Sequence, residues 1–86
     1  MTLQDIEADF RGRLPGHDVR LWREVSECFN GVGVTILDGL YIDVKGPAMP
    51  KNRFRNGVRL KTPVDIPIAA DALWESVMGA KEREAT

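Results

Sequence analysis

The chain has 86 residues, enough for a single domain with one modest hydrophobic core. Its composition, 43% apolar and 29% charged, is typical of a soluble globular protein. No apolar run approaches the roughly 20 residues that cross a bilayer, and no signal peptide is visible, so we expect no membrane partner. The single cysteine, Cys28, excludes an internal disulfide and favours a reducing, cytoplasmic location.

Charge is distributed unevenly along the chain, although the net charge is only −1. The segment between Val44 and Val64 contains six basic residues and no acidic residue, so it carries +6. The remainder contains the other six bases and all 13 acids, and therefore carries −7. An acidic body with a basic centre is the feature that bears most directly on function.

The first predicted element is a helix that begins after Thr2. Thr2 and Asp5 have the spacing of a capping box, in which each side chain binds the backbone N–H of the other residue. The apolar residues that follow have helical spacing: Leu3, Ile6, Phe10 and Leu14. Gly12 and Pro15-Gly16 are expected to end this helix.

A second helix is predicted over residues 19–29. Asp18 is a suitable N-cap, and Asn30-Gly31 is a typical helix stop. The predicted buried stripe comprises Val19, Trp22, Val25 and Phe29, widened by Leu21 and Cys28. On this interpretation Trp22 and Cys28 are core residues.

Two β-hairpins are predicted next, each closed by a three-residue loop that ends in glycine. Leu37-Asp38-Gly39 would close the first hairpin, because only that register keeps one face apolar. The predicted pairs are Ile36 with Leu40, Val34 with Ile42 and Val32 with Val44. Arg55-Asn56-Gly57 would close the second hairpin and pair Phe54 with Val58, and Pro63 would end its second strand.

The last predicted helix begins at Ile66-Pro67 and ends near Gly79, and residues 81–86 are expected to fray. Its predicted buried stripe comprises Ala70, Leu73, Trp74 and Val77. We therefore expect one α+β domain, residues 1–86, with the order α-α-β-β-β-β-α. The sheet should be a four-stranded antiparallel meander with helices on one face, because short connections exclude parallel neighbours.

The usual catalytic side chains are hard to assemble from this sequence. His17 and Cys28, the single histidine and the single thiol, would lie roughly 16 Å apart on a continuous helix, too far for a dyad. No cofactor motif and no zinc-ligand pattern is present. We therefore expect no enzyme, no catalytic residue, no cofactor and no metal site.

A basic surface is the predicted partner-binding site. The hairpin registers place most of the basic segment on the outer face of the sheet. Met49, in the loop between the hairpins, either docks in an apolar pocket of the partner or packs back under the sheet. The predicted partner-binding residues are Tyr41, Lys45, Met49, Lys51, Arg53, Arg55, Arg59 and Lys61. Arginine side chains bind carboxylates and phosphates in a two-point geometry.

The predicted function is a small protein-interaction module that docks this basic face onto an acidic partner surface. Its size and composition are similar to those of small subunits, antitoxin-like proteins and phage-encoded inhibitors, anti-CRISPR proteins among them. The alternative is an accessory protein that binds nucleic acid through phosphates, with Tyr41 as a stacking platform. A homodimer through a sheet edge or an exposed tryptophan stays open at this point.

Overall fold

The computed structural model has two helices and a three-stranded antiparallel sheet, and it describes residues 2–61 and 65–85. The elements in chain order are α1 (Leu3–Arg13), β1 (Asp18–Asn30), β2 (Gly33–Lys45), β3 (Arg53–Leu60) and α2 (Ile66–Ala85). The strands form a meander in the order β1-β2-β3. The α+β class and the antiparallel meander are as expected, but the predicted three helices and four strands are wrong. The predicted strand end at Pro63 lies outside the described residues.

The predicted second helix is strand β1. Its sequence fits both periods, because Val19, Val25 and Phe29 recur in a helical stripe and in an alternating strand pattern. In the structure Val19 and Leu21 are buried, whereas Trp22 points to the opposite face of the sheet and Cys28 is exposed. Pairing along all 13 residues with β2 decides between the two periods. Tertiary pairing thus overrides the local helical spacing.

The chain reverses at Asn30–Gly33, and both predicted glycine loops are wrong. The side-chain Oδ1 of Asn30 accepts hydrogen bonds from the backbone N–H of Val32 (2.9 Å) and of Gly33 (3.0 Å). Asp38-Gly39 lies inside β2, and Asn56-Gly57 lies inside β3. The predicted strand pairs are replaced accordingly: Val44 pairs with Val19, Ile42 with Leu21, Ile36 with Glu27 and Val34 with Phe29, while Phe54 pairs with Val44 and Val58 with Leu40.

Both helices pack on the same face of the sheet, as the sequence predicted, and the hydrophobic core lies between them and the strands. The capping box of α1 is confirmed, since Thr2 and Asp5 exchange hydrogen bonds of 2.9 and 3.2 Å. The largest fully buried side chains are Val19, Leu40, Ile42, Val44, Met49, Leu73 and Val77. α2 continues past Gly79 to Ala85, so the predicted end at Gly79 is wrong.

Helix α1 covers the free edge of β1 over part of its length. Arg11 donates a hydrogen bond from Nε to the carbonyl oxygen of Val19 (3.1 Å), and Glu7 accepts one from the backbone N–H of Leu21 (2.8 Å). β3 pairs with β2 from Asp38 onward. Residues 25–38 continue past the α1 contacts as a two-stranded hairpin that β3 meets only at Asp38, here named the distal ribbon. The molecule is accordingly elongated, with extents of 47 × 28 × 17 Å.

We predict that Leu73→Ala destabilises the fold by about 2–5 kcal/mol, because the side chain is fully buried between α2 and the sheet. Ile68→Ala is the matched control on the same helix, since the Ile68 side chain is 71% exposed. Its cost should stay within about 0.5 kcal/mol. Urea unfolding followed by circular dichroism measures both values. Equal losses in the two variants would contradict the placement of the core.

Candidate partner-binding surface

The face of the sheet opposite the helices, here named the outer face, collects residues from all three strands. Side chains alternate between the two faces of a strand, so the observed register fixes which of them share the outer face. They are Asp18, Arg20, Trp22 and Glu24 from β1, Gly39, Tyr41, Asp43 and Lys45 from β2, and Arg53, Arg55, Gly57 and Arg59 from β3.

Asp43 lies at the centre of a cationic cluster on this face. It is only 7% exposed, and it lies across from Arg20 on β1 and from Arg55 on β3. Arg53 donates two hydrogen bonds to its carboxylate, from Nε (3.2 Å) and from Nη2 (3.0 Å). Arg55 approaches the same carboxylate more loosely, with its Nε at 3.9 Å. Asp43 therefore fixes Arg53 in place and leaves its neighbours less constrained.

The surrounding cationic side chains keep the Asp43 carboxylate ionised. The hydrogen bonds from Arg53 lower the pKa of Asp43 below its ordinary value, and the positive charges of Arg53, Arg55 and Lys45 lower it further. Burial acts in the opposite direction but does not outweigh them. The same contact raises the pKa of Arg53. The pair is thus a fixed, charged element of the outer face at neutral pH.

A depression of about 420 Å³ surrounds this pair. It is lined by Arg20, Trp22, Asp43, Lys45, Arg53 and Arg55. The side chains of Arg20 and Arg55 are 69% and 60% exposed, and each reaches a carboxylate only at 3.9 Å. Four cationic side chains therefore face two carboxylates, Asp43 and Asp18, which leaves positive charge available to an external anion.

Two aromatic rings lie beside the cationic cluster. Trp22 and Tyr41 are stacked, with ring centroids 5.8 Å apart and planes inclined by 20°. The Tyr41 ring lies across Gly39 and Gly57, where a Cβ atom would come within 2.9 Å and 2.5 Å of it, respectively. Both glycines thus make room for a close ring contact within a strand, a role unlike the turn formation that the sequence suggested.

The structure brings together four of the eight predicted partner-binding residues. Tyr41, Lys45, Arg53 and Arg55 share the centre of the outer face. Arg59 and Lys61 instead line a separate depression with the start of α2, and the Lys61 N–H donates a hydrogen bond to Asp65. Lys51 lies in the turn before β3 with a left-handed backbone (φ 52°). Met49 is fully buried in the core, so it does not contribute to the outer face.

The sequence reasoning missed Arg20 and Trp22. Both were placed on a predicted helix, whereas β1 puts them on the outer face beside Asp43 and Tyr41. The signal that identifies them is the alternation of Val19 and Leu21 with Arg20 and Trp22, which is typical of a strand with one wet face. Val25 and Phe29 continue the apolar side of that alternation.

The two side chains most often used in catalysis, those of His17 and Cys28, lie far apart, and His17 is engaged in hydrogen bonds to the backbone. The Nε2 atom of His17 accepts a hydrogen bond from the Ala48 N–H (3.1 Å), so Nδ1 carries the proton and faces the Pro15 carbonyl (3.1 Å). Along an extended strand, Cys28 lies roughly 36 Å from His17, farther than the helix would have placed it. Within residues 2–61 and 65–85, no cluster of three or more histidine, cysteine, aspartate or glutamate side chains is suited to a metal ion.

A larger depression of about 510 Å³ lies between β3 and α2. Its lining combines Arg55 and Arg83 with Glu75 and several small or neutral residues. Two arginines against one glutamate give it a smaller excess of positive charge than the depression around Asp43 has. The depression around Asp43, with its excess of cations, is therefore the stronger candidate for a binding surface.

Comparison with known proteins adds no family. No family model matches the chain, and neither the curated proteins nor the solved structures give a match. In the part of the chain that the structure describes, no helix is long and apolar enough to cross a bilayer.

We predict that Gly57→Ala disrupts the aromatic pair, because its new Cβ atom would lie 2.5 Å from the Tyr41 ring. The change should alter the tryptophan fluorescence and near-UV circular dichroism that report on Trp22. Gly33→Ala is the matched control, since a Cβ atom at Gly33 would have no neighbour within 4 Å. Identical spectra for the wild-type protein and Gly57→Ala would contradict the described ring position.

We also predict that Asp43→Asn reduces the sensitivity of the fold to acid. The pKa of Asp43 is lowered in the folded state, so its contribution to stability is complete above its unfolded pKa of about 3.9 and is lost as pH falls through the folded value. The free energy of unfolding, measured in urea at neutral pH and at about pH 2, should fall more in the wild-type protein than in the variant. Asp71→Asn, on the exposed side of α2, controls for the change in charge.

Proposed function

We propose that this chain is a non-enzymatic protein-interaction module that docks its outer face onto an acidic surface of a partner protein. The observation that carries the proposal is the cluster around Asp43. Arg53 is held by that carboxylate, while the exposed Arg20, Lys45 and Arg55 surround it with excess positive charge. A regulator, an inhibitor or an assembly subunit would use such a surface.

The charge distribution favours an acidic protein surface over a long polyanion. The residues outside the basic segment carry a net charge of −7, so the surface that they form repels an extended nucleic acid. An acidic patch of limited size meets the cluster without approaching the acidic remainder. Attraction between opposite patches accelerates association and sets the orientation of the two proteins.

A second candidate function is binding of single-stranded nucleic acid, and the aromatic pair favours it. Trp22 and Tyr41 lie on the same open face as the arginines, which is the combination that stacks bases and binds phosphates. The carboxylate of Asp43 at the centre of the face opposes phosphate binding. We therefore rank this function second. The cytoplasmic location and an origin of the anti-CRISPR type stay predictions from the sequence.

The proposal is tested with a double variant, Arg20→Glu with Arg55→Glu. Both side chains are exposed, and neither makes a close hydrogen bond to Asp43, so we expect the fold to be retained. Immobilised wild-type protein should recover a partner protein from lysate of the source cells after nuclease treatment. The variant should lose about tenfold or more of the affinity for that partner at low salt.

Lys61→Glu with Lys81→Glu is the matched control, because it changes the net charge equally at two exposed lysines that do not belong to the outer face. This control should retain the partner. Equal loss in both double variants would show a general charge effect and contradict the proposed face. Recovery that disappears with nuclease, together with binding of labelled single-stranded RNA or DNA that depends on Trp22, would favour the second function.

A further inference from the structure

The distal ribbon has an uncovered β1 edge. Val19 and Leu21 both direct backbone groups toward α1, which binds them through Arg11 and Glu7. Alternate residues of a strand direct their N–H and C=O groups to the same edge. The next N–H and C=O groups on this edge are therefore those of Arg23, Val25 and Glu27. These residues follow Leu21, where the second of the two α1 contacts lies. In the described residues, no strand pairs with β1 there.

The ribbon also exposes large apolar side chains on one face. Val25, Phe29, Val34 and Ile36 lie on the same face of the sheet as the core, but neither helix covers them. Their exposed fractions are 58%, 76%, 54% and 64%, respectively. An open strand edge beside an apolar face favours pairing with a further strand, and proteins usually protect such edges.

We propose that a second copy of this chain pairs with the β1 edge, so that two antiparallel β1 strands meet around a two-fold axis at Val25. In this register Val25 lies opposite the partner's Val25. Arg23 lies opposite the partner's Glu27, and the symmetry repeats this contact with the roles exchanged. Three residue pairs that direct their backbone groups to this edge would form about six backbone hydrogen bonds.

Charge selects this register over its neighbours. A shift that centres the axis on Ser26 places Val25 opposite the partner's Glu27 and Arg23 opposite the partner's Phe29. A further shift places Glu27 opposite the partner's Glu27, and like charges directly opposite each other are destabilising. A shift in the other direction places the partner's Glu27 opposite Leu21, beside the Glu7 carboxylate that already binds the Leu21 N–H, so two like charges would again meet. The register centred on Val25 alone pairs each arginine with a glutamate.

Arg23 is already oriented for this contact. It binds the carboxylate of Asp38 on β2 through Nε, at 2.9 and 3.1 Å, and through Nη2. The guanidinium has five N–H donors, so a second carboxylate is accommodated at the remaining nitrogen. Asp38 thus holds Arg23 in place at the base of the ribbon, and the partner's Glu27 would complete an ion-pair network across the interface.

The mass of the purified chain gives the first test. Analytical ultracentrifugation over a dilution series should detect a species of twice the 9.6 kDa chain mass. Val25→Pro removes an N–H that points away from β2, so it blocks edge pairing without removing a β1–β2 hydrogen bond. We expect it to weaken dimerisation by at least about tenfold. Val25→Thr keeps the N–H and the branched side chain, and should dimerise like the wild-type protein.

Reversing the charges of Arg23 and Glu27 in separate variants tests the register independently of Val25→Pro. Glu27→Arg alone places arginine opposite arginine, and Arg23→Glu alone places glutamate opposite glutamate, so each variant should be mainly monomeric. An equimolar mixture restores both opposite-charge contacts in a heterodimer and should sediment as a dimer. Circular dichroism of each variant shows whether its strands are retained.

Three results would overturn the proposal. The first is a wild-type chain that stays monomeric throughout the dilution series. The second is a dimer that Val25→Pro leaves unchanged while its circular dichroism is native, and the third is a mixture of the charge variants that stays monomeric. The Arg20 and Arg55 variants lie outside the paired residues, so failure of the binding function and failure of the dimer are distinguishable.

Discussion

The antiparallel pairing of β1 with β2 is the constraint on which the other features of this protein depend. It extends over 13 residues of each strand, whereas β3 pairs with only part of β2. The half near β3 buries Val19 and Leu21 under the helices and directs Arg20 and Trp22 to the outer face. The other half continues past the helices as the distal ribbon. One register therefore creates the core, the cationic cluster and the open edge.

The outer face combines side chains that are held in fixed positions with exposed arginines whose positive charge is not fully neutralised. The nearly buried Asp43 holds Arg53 by two hydrogen bonds, and the stacked rings of Trp22 and Tyr41 lie over a strand where Gly57 leaves room for them. Rigid groups lose little conformational entropy on binding, which improves affinity for a given contact area. Exposed arginines around this fixed centre supply the attraction. The arrangement supports the proposed role in recognition of an acidic partner.

The two proposed surfaces are compatible within one assembly. Edge pairing uses the backbone of β1 from Arg23 to Glu27, whereas the outer face uses side chains nearer the other end of the strand. Pairing two copies would join their sheets into one of six strands, with both cationic clusters on the same side. Two linked binding faces raise the apparent affinity for a partner that presents repeated acidic patches. The dimer and the binding function would then reinforce each other.

The sequence alone determined the capped first helix, the buried residues Ile6, Phe10 and Leu14, the start of the last helix and the basic character of residues 44–64. These features depend on neighbours a few residues apart, so local patterns suffice. The tertiary structure decided that residues 19–29 form a strand, because Val19, Val25 and Phe29 fit either period until β2 pairs with them. It also decided that Gly39 and Gly57 lie within strands beneath Tyr41, since a glycine beside Asp or Asn signals a turn unless a distant ring occupies the space above it.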